Sequence, residues 1–190
     1  MNIGLYFGTF NPIHIGHLAI ANYVVEFTDI DELWFVVSPQ NPLKQKSSLL
    51  DDYHRLELVN IAIANDARFK ASDIEFYMPK PSFTIDALTH LKEKHPNQEF
   101  RLIMGADNFA SIHKWKNYKQ ILDNYNICVY PRTGTNIKQS NEKNISVVNA
   151  PLMEISSSFI RNAIKEGKEI NYYLNNNVYK YIIDMHFYEE

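Results

Sequence analysis

The sequence predicts an α/β protein built on a doubly wound, mostly parallel sheet with helices on both faces. Two observations carry this. Short apolar runs of strand character alternate along the chain with segments of helical period, and each parallel connection in a sheet needs such a crossover. The composition, 45% hydrophobic and 22% charged over 190 residues, is that of ordinary folded proteins. No Gly/Ser linker or internal repeat divides the chain, so residues 1–190 are read as one domain.

The elements follow in order. Ile3 to Phe7 is a short apolar run; after a polar turn comes a helical segment in which Leu18, Ala21 and Val25 share a face with Ile20 and Val24 beside them. Leu33 to Val37, L-W-F-V-V, reads as a strand buried on both faces, with Trp34 in the core. Asp51 or Asp52 caps the next helix, whose apolar positions include Leu56, Val59, Ile61 and Ile63. A weaker strand runs from Phe69 to Ala71. A helix then begins near Ser82 and ends before Pro96, and the strand Phe100 to Met104 stops at Gly105. Ile127 to Tyr130 and Ile145 to Val148 add two strands, and helices near Ser157 to Glu166 and Asn177 to His186 complete the pattern. Ligands of such sheets bind beyond the carboxyl ends of the strands, where the strand order reverses, so the loops after the strands are where chemistry is expected.

Charge and composition narrow the function. A net charge of -3 offers no overall pull toward nucleic acid or an anionic membrane, so any basic site is local. No apolar run approaches the roughly 20 residues of a membrane span, and residues 1–20 lack the features of a signal peptide. Cys128 is the only cysteine, which excludes an internal disulfide and a cysteine-built zinc site. A soluble, cytoplasmic protein is expected, with no nucleic-acid or membrane partner; association into a homo-oligomer stays open.

The first loop carries the strongest signal. Gly8 to His17 reads G-T-F-N-P-I-H-I-G-H between the first strand and the first helix and holds two of the six glycines. Gly8 lets backbone N–H groups close on a ligand, Pro12 stiffens the turn, and Gly16 leaves room at the helix start. His17 falls at the amino end of the helix, where free N–H groups and the macrodipole favour an anion, and His14 reaches the same point. Two histidines at a helix start can also simply cap it. Metal ligation lacks a third ligand, because the other five histidines are scattered. Neither G-x-x-x-x-G-K-[ST] nor G-x-G-x-x-G occurs.

This stretch resembles the G-[GST]-F-[DN]-P-x-H-x-G-H signature of the nucleotidylyltransferase superfamily, whose members transfer a nucleoside monophosphate from a nucleoside triphosphate and release pyrophosphate. Ile155 to Arg161, I-S-S-S-F-I-R, is similar to its I-S-S-[ST]-x-x-R signature. Serines at a helix start are ordinary caps, but with a guanidinium one turn on they also make a phosphate cradle. The resemblance implies a Rossmann-like sheet and places ATP along Gly8, Thr9, Phe10, His14, Gly16 and His17 and along Ser156, Ser157, Ser158 and Arg161. His14, His17 and Arg161 would be catalytic, the histidines serving the α- and β-phosphates and Arg161 with the serines the β and γ.

The remaining segments resemble the bacterial nicotinate-nucleotide adenylyltransferase family. S-P-Q-N-P-L-K is similar to its P-x-x-P-P-H-K loop with Lys44 in the lysine position, D-Y-H-R to a helix start of structural role, S-F-T-I-D to a mononucleotide-lining segment containing Thr84, and L-I-M-G-A-D followed by K-W to the segment that brings Asp107 and Trp115 to the nucleotide. Trp115 lies among His113, Lys114 and Lys116, a polar setting for a packing residue, and its indole suits an electron-poor pyridinium. Arg132, in Y-P-R-T-G, stands where the family often has an arginine; a plain surface turn is the other reading. Three residues depart from the pattern: Phe7 replaces a glycine, Asn11 replaces the common Asp, and Leu43 replaces His. An amide cannot be a general base, so no proton acceptor is needed at Asn11.

The implied activity is adenylyl transfer from ATP to nicotinate mononucleotide, giving deamido-NAD and pyrophosphate, with Mg2+ carried mainly on the ATP phosphates rather than in a protein metal site. Lys44 would meet an incoming or leaving phosphate. The alternatives are a nicotinamide mononucleotide or pantetheine-phosphate adenylyltransferase, or a non-catalytic ATP-binding module; acceptor tests and mononucleotide-dependent pyrophosphate release separate them. A synthetase fragment is excluded by the missing K-M-S-K-S.

Overall fold

The computed structural model describes residues 1–39, 49–135 and 143–189. Strands β1 (Asn2–Gly8), β2 (Glu32–Val37), β3 (Phe69–Ser72), β4 (Glu99–Gly105), β5 (Asn126–Tyr130) and β6 (Ile145–Val147) form one sheet in the order β3-β2-β1-β4-β5-β6. Every neighbouring pair is parallel. The chain winds outward from β1 to β3, returns to place β4 beside β1, then winds the other way. The reversal, and with it the crevice expected to take ligand, therefore lies between the ends of β1 and β4.

Helices α1 (Ile15–Phe27), α2 (Asp52–Ile63), α3 (Thr84–Lys94), α4 (Ala106–Ala110), α5 (Tyr118–Asn124), α6 (Ser157–Lys165) and α7 (Asn176–Asp184) divide between the two faces. Strand side chains alternate between faces, and the core separates accordingly. Leu33, Phe35, Val37, Ile103 and Cys128 pack with Ile20, Val24, Leu58, Ile160, Val178 and Ile182 from α1, α2, α6 and α7. Ile3, Leu5, Leu102, Met104 and Val129 pack with Ile85, Leu88, Leu91 and Ile121 from α3 and α5. This is the doubly wound arrangement that the alternating periods predict. No helix of the described residues is long and apolar enough to cross a membrane.

Four local readings change. The buried stripe of α1 is Gly16, Ile20, Ala21 and Val24, so the i, i+4 row through residues 16, 20 and 24 meets the sheet and Leu18 and Val25 lie at its margin. In α2 the buried residues are Arg55, Leu58, Val59 and Ile63; an arginine sits inward because backbone carbonyls surround it. Asp51, of the two candidates, caps this helix by accepting from Tyr53 N–H at 3.0 Å. Helix α3 starts at Thr84 behind Phe83, while Ser82 turns away and donates to buried Glu75 at 3.1 Å. Trp34 is only half-buried, because an open groove between the turn after β3 and α3 leaves part of its ring uncovered.

Candidate active site

The loop from Gly8 to His14 leaves the sheet at its central strand and delivers His14 to the N-cap of α1, in extended backbone. Backbone N–H of His14 donates to Nδ1 of His17 at 3.3 Å, and the two imidazoles stack with centroids 3.7 Å apart. The pairing read from the spacing of three is thus realised as a stack over the helix start. A Cβ on Gly16 would come within 3.0 Å of His14 Nδ1, so the bare backbone there is what lets the ring lie flat. Burial, with the Arg132 guanidinium near, pushes the His14 imidazole down to about 3. At neutral pH His14 is uncharged and offers a hydrogen bond rather than a cation.

Phe10 departs from ordinary backbone, with φ of 44°, and its buried ring turns back beneath the loop against Tyr6, His17 and Phe35. A Cβ at Gly8 would stand 2.9 Å from that ring. Gly8 therefore makes room for Phe10 as well as freeing backbone toward a ligand.

The second motif closes on the first. Ser156 caps α6 by accepting from Phe159 N–H at 3.1 Å, Ser157 Oγ donates to Pro12 O at 2.9 Å, and Arg161 donates to Asn11 O at 2.8 Å and to Ser158 Oγ at 3.3 Å. Hydroxyls, guanidinium and a helix amino end thus share one mouth with the histidines.

Between them lies a cleft of about 330 Å³, within the range of small-molecule sites. It is lined by Gly8, Thr9, Phe10, His14 and His17 from the first loop, by Ser156, Ser157, Ser158 and Arg161, and by Asp107, Trp115 and Arg132 from the loops after β4 and β5. Gly16 opens instead into a narrow adjoining recess with Arg132, Met153 and Ile155. Arg132 lies over the Tyr130 ring, 5.5 Å from its centre, and its Nε is 3.9 Å from the Asp107 carboxylate, so it is more than a surface turn. Thr84 is not among the lining residues. It opens α3, which Lys116 ties to the Trp115 segment through Asp86 at 2.8 Å and through the Phe83 ring. Lys44, Leu43 and the loop that contains them lie outside the described residues.

Other groups were not picked out by sequence reasoning. Tyr6 and Tyr130 join through their hydroxyls at 2.9 Å and line the cleft; burial raises both phenols, that of Tyr6 well above its usual range, so both stay protonated. The structural part expected of D-Y-H-R is played by Arg55, which binds Thr9 O, Ser38 O, Pro39 O and Leu50 O. It therefore ties the loops after β1 and β2 together under the site.

Known proteins share the sequence and the fold of this chain. A family model described as cytidylyltransferase-like matches residues 5–163. A probable nicotinate-nucleotide adenylyltransferase of Flavobacterium johnsoniae is 54% identical over the whole of both chains, and one of Cytophaga hutchinsonii is 49% identical, covering 99% of this chain and 98% of its own. A solved structure of Plasmodium falciparum nicotinic acid mononucleotide adenylyltransferase complexed with NaAD superposes with a TM-score of 0.85 at 26% identity, covering 99% of this chain and 97% of that one.

Proposed function

We propose, from the premise that the chain belongs to the cytidylyltransferase-like family, that its cleft joins ATP to a pyridine mononucleotide. The enzyme transfers the adenylyl group of ATP to nicotinate mononucleotide, giving deamido-NAD and pyrophosphate, a step in NAD biosynthesis. The observation that carries the reading at the level of residues is the meeting of the H-I-G-H loop, the serine-arginine helix start and Trp115 around one cleft.

The mononucleotide phosphate oxygen attacks the α-phosphorus in line; its bond to that phosphorus forms as the bond to the bridging oxygen breaks, and pyrophosphate leaves with no enzyme-bound intermediate. A phosphate monoester has a second pKa near 6, by analogy with phosphorylated side chains, and is largely dianionic at pH 7. It needs no base, which agrees with an amide at Asn11. His14 and His17 donate hydrogen bonds to the α- and β-phosphates, and Arg161 with the serines holds the β and γ. Lys44 supplies a further charge to the incoming or leaving phosphate. Arg132 and Asp107 orient the nucleotide on the opposite wall.

Magnesium would be carried mainly on the ATP phosphates. Among the described residues no group of three His, Cys, Asp or Glu could hold an ion unaided, and of the cleft's carboxylates Asp107 is half exposed beside Arg132. That donor set fits an ion held by phosphate oxygens and water, with Asp107 as the nearby carboxylate. When bound it neutralises charge on the phosphates.

Residues 1–190 serve as one nucleotidylyltransferase domain in this reading, a view supported by the packing of α7, beyond the matched segment, against the same core. Its proposed partners are ATP and nicotinate mononucleotide, with no nucleic acid and no membrane, and association of copies stays open. The cytoplasm, where ATP and mononucleotides are at hand, is its proposed location.

Trp115 stands half-buried at the rim, so its indole face is available to a pyridine ring. Trp115→Ala is expected to weaken mononucleotide binding by up to about tenfold, the upper part of a stacking value of roughly 0.5–1.5 kcal/mol, and to leave ATP binding unchanged. Titrating each ligand separately checks this; equal losses would make Trp115 a packing residue.

The acceptor test bears on the whole reading. Phe83 gives the start of α3 no side-chain cap, and N–H groups at such a helix start, near Thr84, suit a carboxylate. A carboxamide would set a donor against donors, a mismatch of about 1–3 kcal/mol. With saturating Mg-ATP, kcat/KM is expected to be at least about tenfold higher for nicotinate than for nicotinamide mononucleotide. Equal efficiencies would show a dual-specificity enzyme; absence of mononucleotide-dependent pyrophosphate release would overturn the transferase reading itself.

A further inference from the structure

After α7 the chain turns sharply. His186 and Tyr188, neither of them glycine, take φ of 54° and 67°, a conformation that L-residues adopt only when their surroundings impose it. Two backbone bonds hold the turn, from His186 N–H to Ile183 O at 3.1 Å and from Phe187 N–H to Ile182 O at 3.0 Å. Phe187 anchors it against His54 of α2 and Tyr181 of α7, with ring centres 4.9 and 5.9 Å apart. The outcome is that Tyr188 points back into the molecule and donates from its hydroxyl to Asn11 Oδ1 at 2.8 Å, across 177 positions of sequence.

Asn11 is almost wholly buried, at 4% exposure. The same Oδ1 accepts from Leu50 N–H at 3.2 Å, and its backbone carbonyl accepts from Arg161 at 2.8 Å. One residue of the substrate loop is thereby gripped by the turn after α7, by the segment entering α2 and by the phosphate-holding helix. It sits between Phe10, whose backbone is strained, and the stretch that delivers His14. Tyr188 is absent from the cleft lining, whereas Asn11 belongs to it, so the hydroxyl bonds a residue of the cleft without lining it. Burial keeps that phenol protonated, a permanent donor to the amide oxygen.

We propose that Tyr188 is a positioning residue for the adenylyl transfer site: its hydroxyl holds Asn11, and through it the loop from Thr9 to His14, in the conformation that receives the triphosphate. The inference rests on the proposed function for what the loop receives, while the contact itself can be tested without turnover. A loop released by loss of one buried hydrogen bond should misplace His14 at the moment of transfer more than it weakens ground-state binding.

The test compares wild type with Tyr188→Phe, which removes one oxygen and keeps the ring. Amide hydrogen exchange is expected to quicken by about fivefold or more at residues 9–14, with other regions unchanged and the thermal midpoint within about 4 °C; kcat is expected to fall about fivefold to tenfold with KM for ATP within about twofold, in line with one lost hydrogen bond. In an Asn11→Ala background the same change should have no further effect on either readout, as coupling through Asn11 demands. Exchange at residues 9–14 within twofold of wild type overturns the proposal. So does faster exchange spread over the molecule with a lowered midpoint, which would mark Tyr188 as general packing, and so does full additivity with Asn11→Ala. If wild type itself makes no dinucleotide, the functional reading fails while the exchange comparison still decides the role of Tyr188.

Discussion

His17→Ala is expected to lower kcat by about 10²–10³-fold, the loss that follows removal of one preorganised transition-state donor, or roughly 3–4 kcal/mol. The imidazole stands in the first turn of α1, stacked on His14 and lining the cleft, so the change removes the proposed donor to the phosphates and also frees the His14 ring. Its own Nδ1 accepts from His14 N–H, which leaves the other ring nitrogen as the protonated one. Since His17 is only partly buried, the fold should survive, as circular dichroism and the thermal midpoint would show. Activity within a few-fold of wild type in folded protein would remove His17 from the chemistry.

Arg55→Ala is expected to act on stability before activity. The guanidinium is fully buried and donates to four backbone carbonyls and to Asp52. Removing it strands those carbonyls in a dry place, while Asp52, partly exposed, keeps Lys80. Breaking a buried, hydrogen-bonded charge network typically costs about 3–5 kcal/mol, which for a chain of this length corresponds to a fall in thermal midpoint of roughly 10 °C. Arg55→Lys should recover little, because one ammonium cannot span carbonyls from three loop segments as a planar fork does. Unfolding free energies within about 1 kcal/mol of wild type for the alanine variant would show that the cage collapses harmlessly. Where the variant does fold, slackening of the Thr9 loop predicts weaker ATP binding as well.

Much of the site was legible because its parts are local. The G-T-F-N-P-I-H-I-G-H run is a strand end, a loop and a helix start in one stretch, and the stacked histidines realise a spacing of three that any α-helical first turn would give. The I-S-S-S-F-I-R segment likewise carries its own cap and its own guanidinium. Periods of two and 3.6 placed the strands and helices, since a parallel sheet covered on both faces demands them. Where the readings slipped, a neighbour decided: Arg55 turned inward for a cage of carbonyls, Ser82 left the helix end for Glu75, and Trp34 stayed half-open where nothing covers it.

The sequence by itself determined the chemistry on offer: which loop follows the first strand, which helix start carries three serines and an arginine, and which indole stands among charges. Only the tertiary structure decided how these groups meet. The bond from Arg161 to Asn11 spans 150 positions, the Tyr6 to Tyr130 contact 124, and the Tyr188 to Asn11 contact 177. No local period encodes such pairings; they follow from the order β3-β2-β1-β4-β5-β6, which brings the ends of β1 and β4 side by side and folds the last helices back over the first. Ionisation also waited on the fold. A histidine in a sequence titrates near neutrality, and the low value at His14 exists because burial strips its water and an arginine from a distant loop stands near it.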